Sequence, residues 1–338
     1  MTIIERLQGS GIRRTGSPGR GFRYRNADGS SVPRADLERI DALRIPPAWT
    51  RVAIHPSSRS GVQAAGLDAA GRWQYLYHRA HVARRERNKQ RRLARFLEAV
   101  PRMRKAVRRD LALPGLPRDK VLAGILTVLS TCFMRPGSEQ YASQNGSYGI
   151  ATLGRRHVST RGEFVRFDFM GKSRQRQQRE LRHRRLARLV RELTRYPGEV
   201  FKFRDESGVM VDVRTPHINA YIKGVMGEAF SAKDFRTWAA NLLCACALAK
   251  TAPAESPRER RRQITAAVRD VAGHLGNTPS VCRASYIFDV LLERHEAGRP
   301  IRSYCASTEA IARGSARGLE RSERALLALV RPGAAAAA

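Results

Sequence analysis

The chain has 338 residues, 42% of them hydrophobic, enough for one large or two modest domains with packed cores, which excludes global disorder. Lys and Arg number 63 against 30 Asp and Glu, a formal net charge of +33, so the expected partner is a polyanion: DNA, RNA or an anionic membrane surface. The five cysteines (132, 244, 246, 282 and 305) lack metal-ligand spacing, no apolar run approaches a bilayer span, and the first residues carry no apolar signal region; together these point to a metal-free cytoplasmic protein with reduced thiols.

Residues 1–43 open with scattered glycines (Gly9, Gly11, Gly16, Gly19, Gly21) that form no phosphate-binding loop and read as flexible surface chain. Asp28-Gly29 predicts a hairpin over residues 22–33. Residues 52–55, 61–67 and 73–77 are short alternating segments separated by turn residues, Asp68-Ala69-Ala70-Gly71 among them. From residue 81 to 110 the pattern changes. Leu93, Phe96, Leu97 and Val100 recur at helical spacing in an arginine-dense stretch, which predicts a long helix with a basic face. Residues 120–133 predict a second, more apolar helix. Residues 164–169 alternate with period two and place Lys172 near the turn of a short hairpin. Helices are expected over 179–195, 215–226, 232–250, 256–274 and 279–296. The last starts with Thr278 as N-cap and Pro279 at the first helical position, which sets Tyr286 about two turns in. The fold class is therefore α+β. A small antiparallel β domain spans 1–80, and a larger, mainly α-helical catalytic domain with a short β-hairpin insertion spans 81–330. The alanine-rich tail over 331–338 is expected to be disordered.

Four stretches stand out. Gly276-Asn277-Thr278-Pro279-Ser280-Val281-Cys282-Arg283-Ala284-Ser285-Tyr286 places a helical tyrosine in a strongly cationic protein, a candidate nucleophile for a DNA phosphodiester, although a core tyrosine is the ordinary reading. Upstream lie Phe133-Met134-Arg135-Pro136-Gly137-Ser138-Glu139, Phe169-Met170-Gly171-Lys172-Ser173 and Ala232-Lys233-Asp234-Phe235-Arg236-Thr237-Trp238. Each is weak alone. In this order, and with Ile45-Pro46-Pro47-Ala48-Trp49, Gln74-Tyr75-Leu76-Tyr77 and Asn145-Gly146-Ser147-Tyr148-Gly149, they closely resemble the type IB DNA topoisomerases, in particular the small bacterial, poxvirus-like branch. The resemblance runs from about Arg44 to near Leu292.

The resemblance implies a catalytic domain of the tyrosine recombinase/type IB kind and two lobes that close on a duplex. It implies that Tyr286 attacks phosphorus and becomes joined to the 3′ phosphate. Arg135 and Arg236 would flank the scissile phosphate, and Lys172 would protonate the departing 5′ oxygen. Asn277 stands where eukaryotic and poxviral members carry histidine and bacterial members often carry asparagine, which assigns that position to neutral hydrogen bonding; His274 falls at the wrong place in the motif. Gln74, Tyr75 and Tyr77 would face the major groove from a strand, although Tyr75 and Tyr77 read equally well as core-facing. Tyr141 and Lys233 would touch phosphate or bases near the reacting centre.

The chemistry suits these residue types. A phosphodiester anion repels nucleophiles, and without clustered carboxylates to hold divalent ions, fixed cations must take the charge that builds on its non-bridging oxygens. A phenol is ionised to only about one part in a thousand at pH 7, so the arginines must favour the phenolate or a base or water must take its proton; the sequence leaves that choice open. The covalent link conserves the phosphodiester's energy, so resealing needs no ATP, consistent with the lack of a Walker motif. No cofactor is expected. The expected partner is double-stranded DNA, with no membrane and no obligatory protein partner, and the working form a monomer. The rivals are a tyrosine recombinase, which shares the chemistry, and a non-catalytic basic nucleoid-binding protein.

Overall fold

Thr2 opens the first helix. Its side chain accepts from the Glu5 amide while the Glu5 carboxylate accepts from the Thr2 amide, a capping box that starts α1 (Ile3–Ser10) and turns Leu7 inward. The computed structural model describes residues 1–299 and 319–331, so nearly all of the tail expected over 331–338 lies outside the described residues. The chain forms two units, Met1–Lys89 and Gln90–Ala338.

In the N-terminal unit, β1 (Ile12–Ser17), β2 (Gly21–Arg25), α2 (Arg34–Ala42), β3 (Thr50–Ile54), β4 (Val62–Leu67) and β5 (Trp73–Tyr77) follow α1. The strands make one antiparallel sheet in the order β2-β1-β3-β4-β5. Alternation sends Ile12, Val52, Ile54 and Ala64 to one small core and Ala53, Val62 and Ala65 to another with Leu7, a register shift between Val62 and Ala64 allowing the parity to change. The expectation of flexible chain over 1–43 is corrected here. Gly16 and Gly21 have positive φ, and a Cβ on Gly16 would meet the Gly21 carbonyl oxygen at 2.2 Å. These glycines shape the β1–β2 turn; they do not loosen it. The expected hairpin over 22–33 moves accordingly: the paired strands are β1 and β2, and the Asp28-Gly29 turn closes only an isolated bridge between Arg25 and Ser31.

The division between the units falls within α3 (Arg79–Asp110). The C-terminal unit continues with α4 (Arg118–Cys132), α5 (Glu139–Asn145), an antiparallel sheet of β6 (Val158–Arg161), β7 (Phe164–Met170) and β8 (Arg176–Arg182), then α6 (Arg184–Leu193). A two-stranded ribbon of β9 (Lys202–Arg204) and β10 (Met210–Asp212) precedes α7 (Thr215–Met226), α8 (Ala232–Ala249), α9 (Pro257–Leu275), α10 (Pro279–Ser285) and α11 (Asp289–Glu296); α12 (Arg321–Val330) closes the described chain. The architecture is mixed α+β, an N-terminal antiparallel sheet and a helical core.

Helix α8 is the centre of that core. Trp238, Ala239, Leu242, Leu243, Cys244 and Cys246 are buried along it, and its small residues let neighbouring helices approach closely. Phe96 of α3 meets Phe235 edge-to-face at 5.0 Å between ring centroids. Each large side chain buried here contributes about 1.5–3 kcal/mol. Burial pushes the Cys132 thiol up to about 11 and Cys244 up to about 12, which keeps both as inert packing groups. No helix among the described residues is long and apolar enough to cross a membrane.

Two expected helices change form. Over 179–195 the first part is strand: residues 176–182 pair with β7 while Gln177 and Leu181 turn inward, and the helix starts only after His183, whose ring accepts from the Leu186 amide at 3.1 Å. Over 279–296 the helix breaks between α10 and α11, at Tyr286.

Candidate active site

Helix α4 ends on Phe133, whose left-handed backbone (φ 55°) swings the chain into Arg135-Pro136-Gly137. That turn is pinned by its three carbonyls. Arg135 O accepts from the Ile150 amide at 2.9 Å, Pro136 O from the Ala151 amide at 2.8 Å, and Gly137 O from the Thr215 hydroxyl at 2.8 Å. Gly137 (φ +90°) packs on Gly149 so tightly that a Cβ on Gly149 would sit 2.4 Å from the Gly137 nitrogen. Both glycines are therefore required for the backbone to present Arg135.

The first turn of α8 supplies the second arginine. Ser231 and Asp234 form its capping box, and Asp234 also takes a forked pair from Arg92 at 2.5 and 2.7 Å. Lys233 and Arg236, three apart, share a helix face, while Phe235 and Trp238 go to the core. Arg236 is only 3% exposed. Its Nη1 donates to Phe133 O at 2.7 Å and its Nη2 to Leu275 O at 2.9 Å; its Nε is buried without a partner.

The C-terminus of α9 holds these arginines. Leu275 O serves Arg236, and Gly276, in the left-handed conformation that ends the helix, offers its carbonyl to both Nη atoms of Arg135 at 3.3 and 3.4 Å. Asn277 Oδ1 also accepts from Arg135, leaving Asn277 Nδ2 buried with no partner. The partial negative charge of a helix C-terminus favours cations and offsets part of the cost of bringing two guanidiniums together. That cost is visible: burial, and then the charge of Arg236, push Arg135 down to about 10, with Tyr286 acting the other way. Burial likewise lowers Arg236. Arg135 remains charged at neutral pH, so the pair makes the pocket positive.

His274 stands apart. It is exposed, its ring 3.6 Å from Asp270, and only its main-chain carbonyl enters the network. Under the chemistry the resemblance implies, Asn277→Ala is therefore expected to slow DNA cleavage strongly while His274→Ala leaves it nearly unchanged; single-turnover cleavage assays check this, and the opposite ranking would exclude Asn277 from the site.

Tyr286 does not sit in mid-helix as the spacing predicts. It terminates α10, half-buried, with its ring centroid 5.4 Å from the guanidinium carbon of Arg236. Asn241, fully buried on α8, fixes the break: Nδ2 donates to Tyr286 O at 2.8 Å and Oδ1 accepts from the Phe288 amide at 2.9 Å. Asn241 is a residue that sequence reasoning passed over, although an amide in the apolar run of α8 was a signal, since buried polar groups need partners.

Lys172 occupies the β7–β8 turn, closed by Gly171 N donating to Gln175 O at 2.9 Å. Ser173 and Arg174 both have positive φ (61° and 54°), a strained pair for residues with side chains. Arg135, Lys172, Arg236 and Tyr286 line one cavity of about 750 Å³, with Tyr141 and Lys233 also on its wall. Asn277 is not on that wall; it reaches the site through Arg135. Tyr148 and Asn219 also line the cavity, the latter accepting from the Ala232 amide at the start of α8, and neither was singled out from the sequence for a role. Among the described residues, no group of three or more His, Cys, Asp or Glu is arranged to hold a metal ion.

Gln74, Tyr75 and Tyr77 belong to the N-terminal unit. On β5 alternation divides them: Tyr75 and Tyr77 pack with Trp73 against the Leu7 core, while Leu76, in phase with Gln74, packs against the Ile12 core. Gln74 donates to Asp68 at 2.9 Å; Tyr77 stacks on His81 at 5.5 Å and carries Arg85 over its ring at 5.1 Å. All three are half-buried, and the packing of Tyr75 and Tyr77 on the Leu7 core matches the core-facing reading.

Comparison with known proteins gives a consistent picture. The family model for the eukaryotic DNA topoisomerase I catalytic core matches residues 79–299, and the one for the bacterial DNA topoisomerase IB N-terminal domain matches residues 21–68. DNA topoisomerase 1B of Acanthamoeba polyphaga mimivirus is 34% identical over 304 residues, 88% of this chain and 90% of the viral protein. DNA topoisomerase I of monkeypox virus is 21% identical over 265 residues, 76% of this chain and 81% of its own. DNA topoisomerase 1 of Rabbit fibroma virus (strain Kasza) is 23% identical over 268 residues, 76% and 80% of the two chains.

Proposed function

Because the chain belongs to the type IB DNA topoisomerases, we propose that the cavity between Arg135, Lys172, Arg236 and Tyr286 is where it breaks and rejoins one DNA strand. The observation that carries this reading is the convergence of those four side chains from the turn after α4, the β7–β8 turn, α8 and the end of α10 on a single cavity, with Arg236 Nε buried and unpaired. An unpaired buried donor is costly, and a phosphate's non-bridging oxygen would satisfy it.

In this mechanism Tyr286 Oη, its proton passing to solvent, attacks phosphorus. The bond from phosphorus to the 5′ oxygen breaks, Lys172 gives that oxygen its proton, and the strand is held as a 3′-phosphotyrosine. Arg135 and Arg236 meet the negative charge that builds on the non-bridging oxygens, and Asn277 acts through Arg135, which it holds. While the nick is open the duplex turns about the intact strand. The 5′ hydroxyl then attacks the phosphotyrosine and returns its proton to Lys172; the bond from phosphorus to Tyr286 Oη breaks, the phenol regains its proton from solvent, and the backbone is restored. Supercoils of either sign relax, with no need for ATP or a metal ion. The catalytic domain, taken as residues 81–330, is of the kind shared with tyrosine recombinases. The β domain over 1–80 would clamp the duplex with Gln74, Tyr75 and Tyr77, while Tyr141 and Lys233 would contact DNA beside the reacting phosphate. The protein would act as a monomer on cytoplasmic, nucleoid DNA.

Incubation with positively or negatively supercoiled plasmid in EDTA and without ATP should give a ladder of relaxed topoisomers. Unchanged plasmid would overturn the reading, and recombinant products in place of relaxation would favour a recombinase. Lys172→Ala is expected to slow cleavage by on the order of a hundredfold to ten-thousandfold, the usual worth of a general acid. A 5′-thio leaving group, which needs little protonation, should restore the rate; without that rescue the general-acid role fails.

A further inference from the structure

The hairpin that carries Lys172 and the loop that carries Asn277 are joined by two side chains of β8. Arg179 Nη2 donates to His274 O at 2.7 Å and to Gln177 Oε1 at 3.0 Å, while its Nη1 donates to Gln178 O at 2.8 Å. Three successive carbonyls at the end of α9 thereby receive three different arginines: His274 O takes Arg179, Leu275 O takes Arg236, and Gly276 O takes Arg135. Gln177, buried, fills the space between the two segments. A Cβ on Gly171, the residue before Lys172, would meet Gln177 Cγ at 2.9 Å, and a Cβ on Gly276, the residue before Asn277, would meet Gln177 Nε2 at 2.3 Å.

We propose that Arg179, with Gln177 beneath it, is a positioning residue that fixes the Lys172 turn relative to the α9 C-terminus, and so to the phosphate that Arg135 and Arg236 would bind. This rests on the reaction proposed above. Lys172 is exposed on a two-residue left-handed turn and forms no side-chain bond in the described structure that would hold it, so its aim depends on the strands beneath. Arg179 touches no reacting atom in this scheme. Its effect is on geometry, where displacement by an ångström can cost on the order of a hundredfold in rate.

The test compares single-turnover cleavage of one duplex substrate with an ordinary 5′ oxygen or a 5′-thio leaving group at the scissile bond, for the full-length wild type, Lys172→Ala, Arg179→Ala and Arg179→Lys. Arg179→Ala should cleave the oxygen substrate on the order of tenfold to a hundredfold more slowly. It should cleave the thio substrate at close to the wild-type rate and bind DNA unchanged. Arg179→Lys, which keeps one donor for His274 O, should fall between. A wild-type rate on the oxygen substrate, or an equal loss on both substrates, overturns the proposal; equal loss would mean that Arg179 serves the Arg135–Asn277 side or the fold. If Arg179→Ala does not fold by circular dichroism, Gln177→Ala decides by the same two-substrate comparison. Failure of the wild type to form any adduct would defeat the underlying reaction, an outcome distinct from a strut that does not matter.

Discussion

Tyr286→Phe is expected to bind supercoiled plasmid yet form no adduct that survives denaturation and relax nothing. The variant is a narrow probe. Phenylalanine keeps the ring beside the Arg236 guanidinium, and the bond that shapes the helix break runs from Asn241 to the Tyr286 main-chain carbonyl, so neither depends on the hydroxyl. What is removed is the proposed attacking oxygen, together with its contact with Arg236. Deleting a nucleophile typically costs on the order of a millionfold in rate. The check is denaturing gel electrophoresis of end-labelled DNA after incubation, beside a filter-binding measurement of affinity. A covalent species in the variant would move the nucleophile elsewhere.

Arg236→Ala should fail in two ways at once. In its proposed role as a donor to the non-bridging oxygens, its loss should slow cleavage by about a hundredfold to a thousandfold. It is also a structural tie, giving charged donors to Phe133 O at the end of α4 and Leu275 O at the end of α9. Leaving two buried carbonyls without partners costs about 1–3 kcal/mol each, partly offset by relief of repulsion from Arg135. Arg135→Ala should lose a similar factor in rate with a smaller change in stability, because Arg135 is only half-buried and its bonds to Gly276 O are long. Chemical denaturation paired with single-turnover cleavage checks the contrast. Equal stability for the two variants would refute the structural role given to Arg236.

The structural role of this arginine, beside its proposed catalytic one, separates what a linear motif carries from what it does not. Lys233-Asp234-Phe235-Arg236-Thr237-Trp238 can be read as a helix start with a cation facing out, because capping chemistry and three-residue spacing are local properties. That Arg236 would be buried against carbonyls from two other helices depends on segments about a hundred and about forty residues away, and no local pattern encodes it. The same distinction explains the misread elements. Arginine-rich residues 176–182 have no strand signature of their own; they become β8 because β7 offers a ladder, and pairing outweighs propensity. The glycines before residue 22 look like loose chain until Gly16 meets Gly21 across a hairpin.

By itself the sequence determined the charge that selects a polyanion, the α+β division, the long helix α3, the buried helix α8, and the order of motifs that marks the family. Hydrophobic period, capping and composition act over a few residues, so they survive in one dimension. Only the tertiary structure decided that Tyr286 closes a helix and does not lie within one, that Asn277 reaches the site through Arg135, and that Arg179 and Gln177 join the Lys172 hairpin to the end of α9. Each of those outcomes depends on a buried polar group finding its partner on another element, and such pairings exist only once the chain has folded.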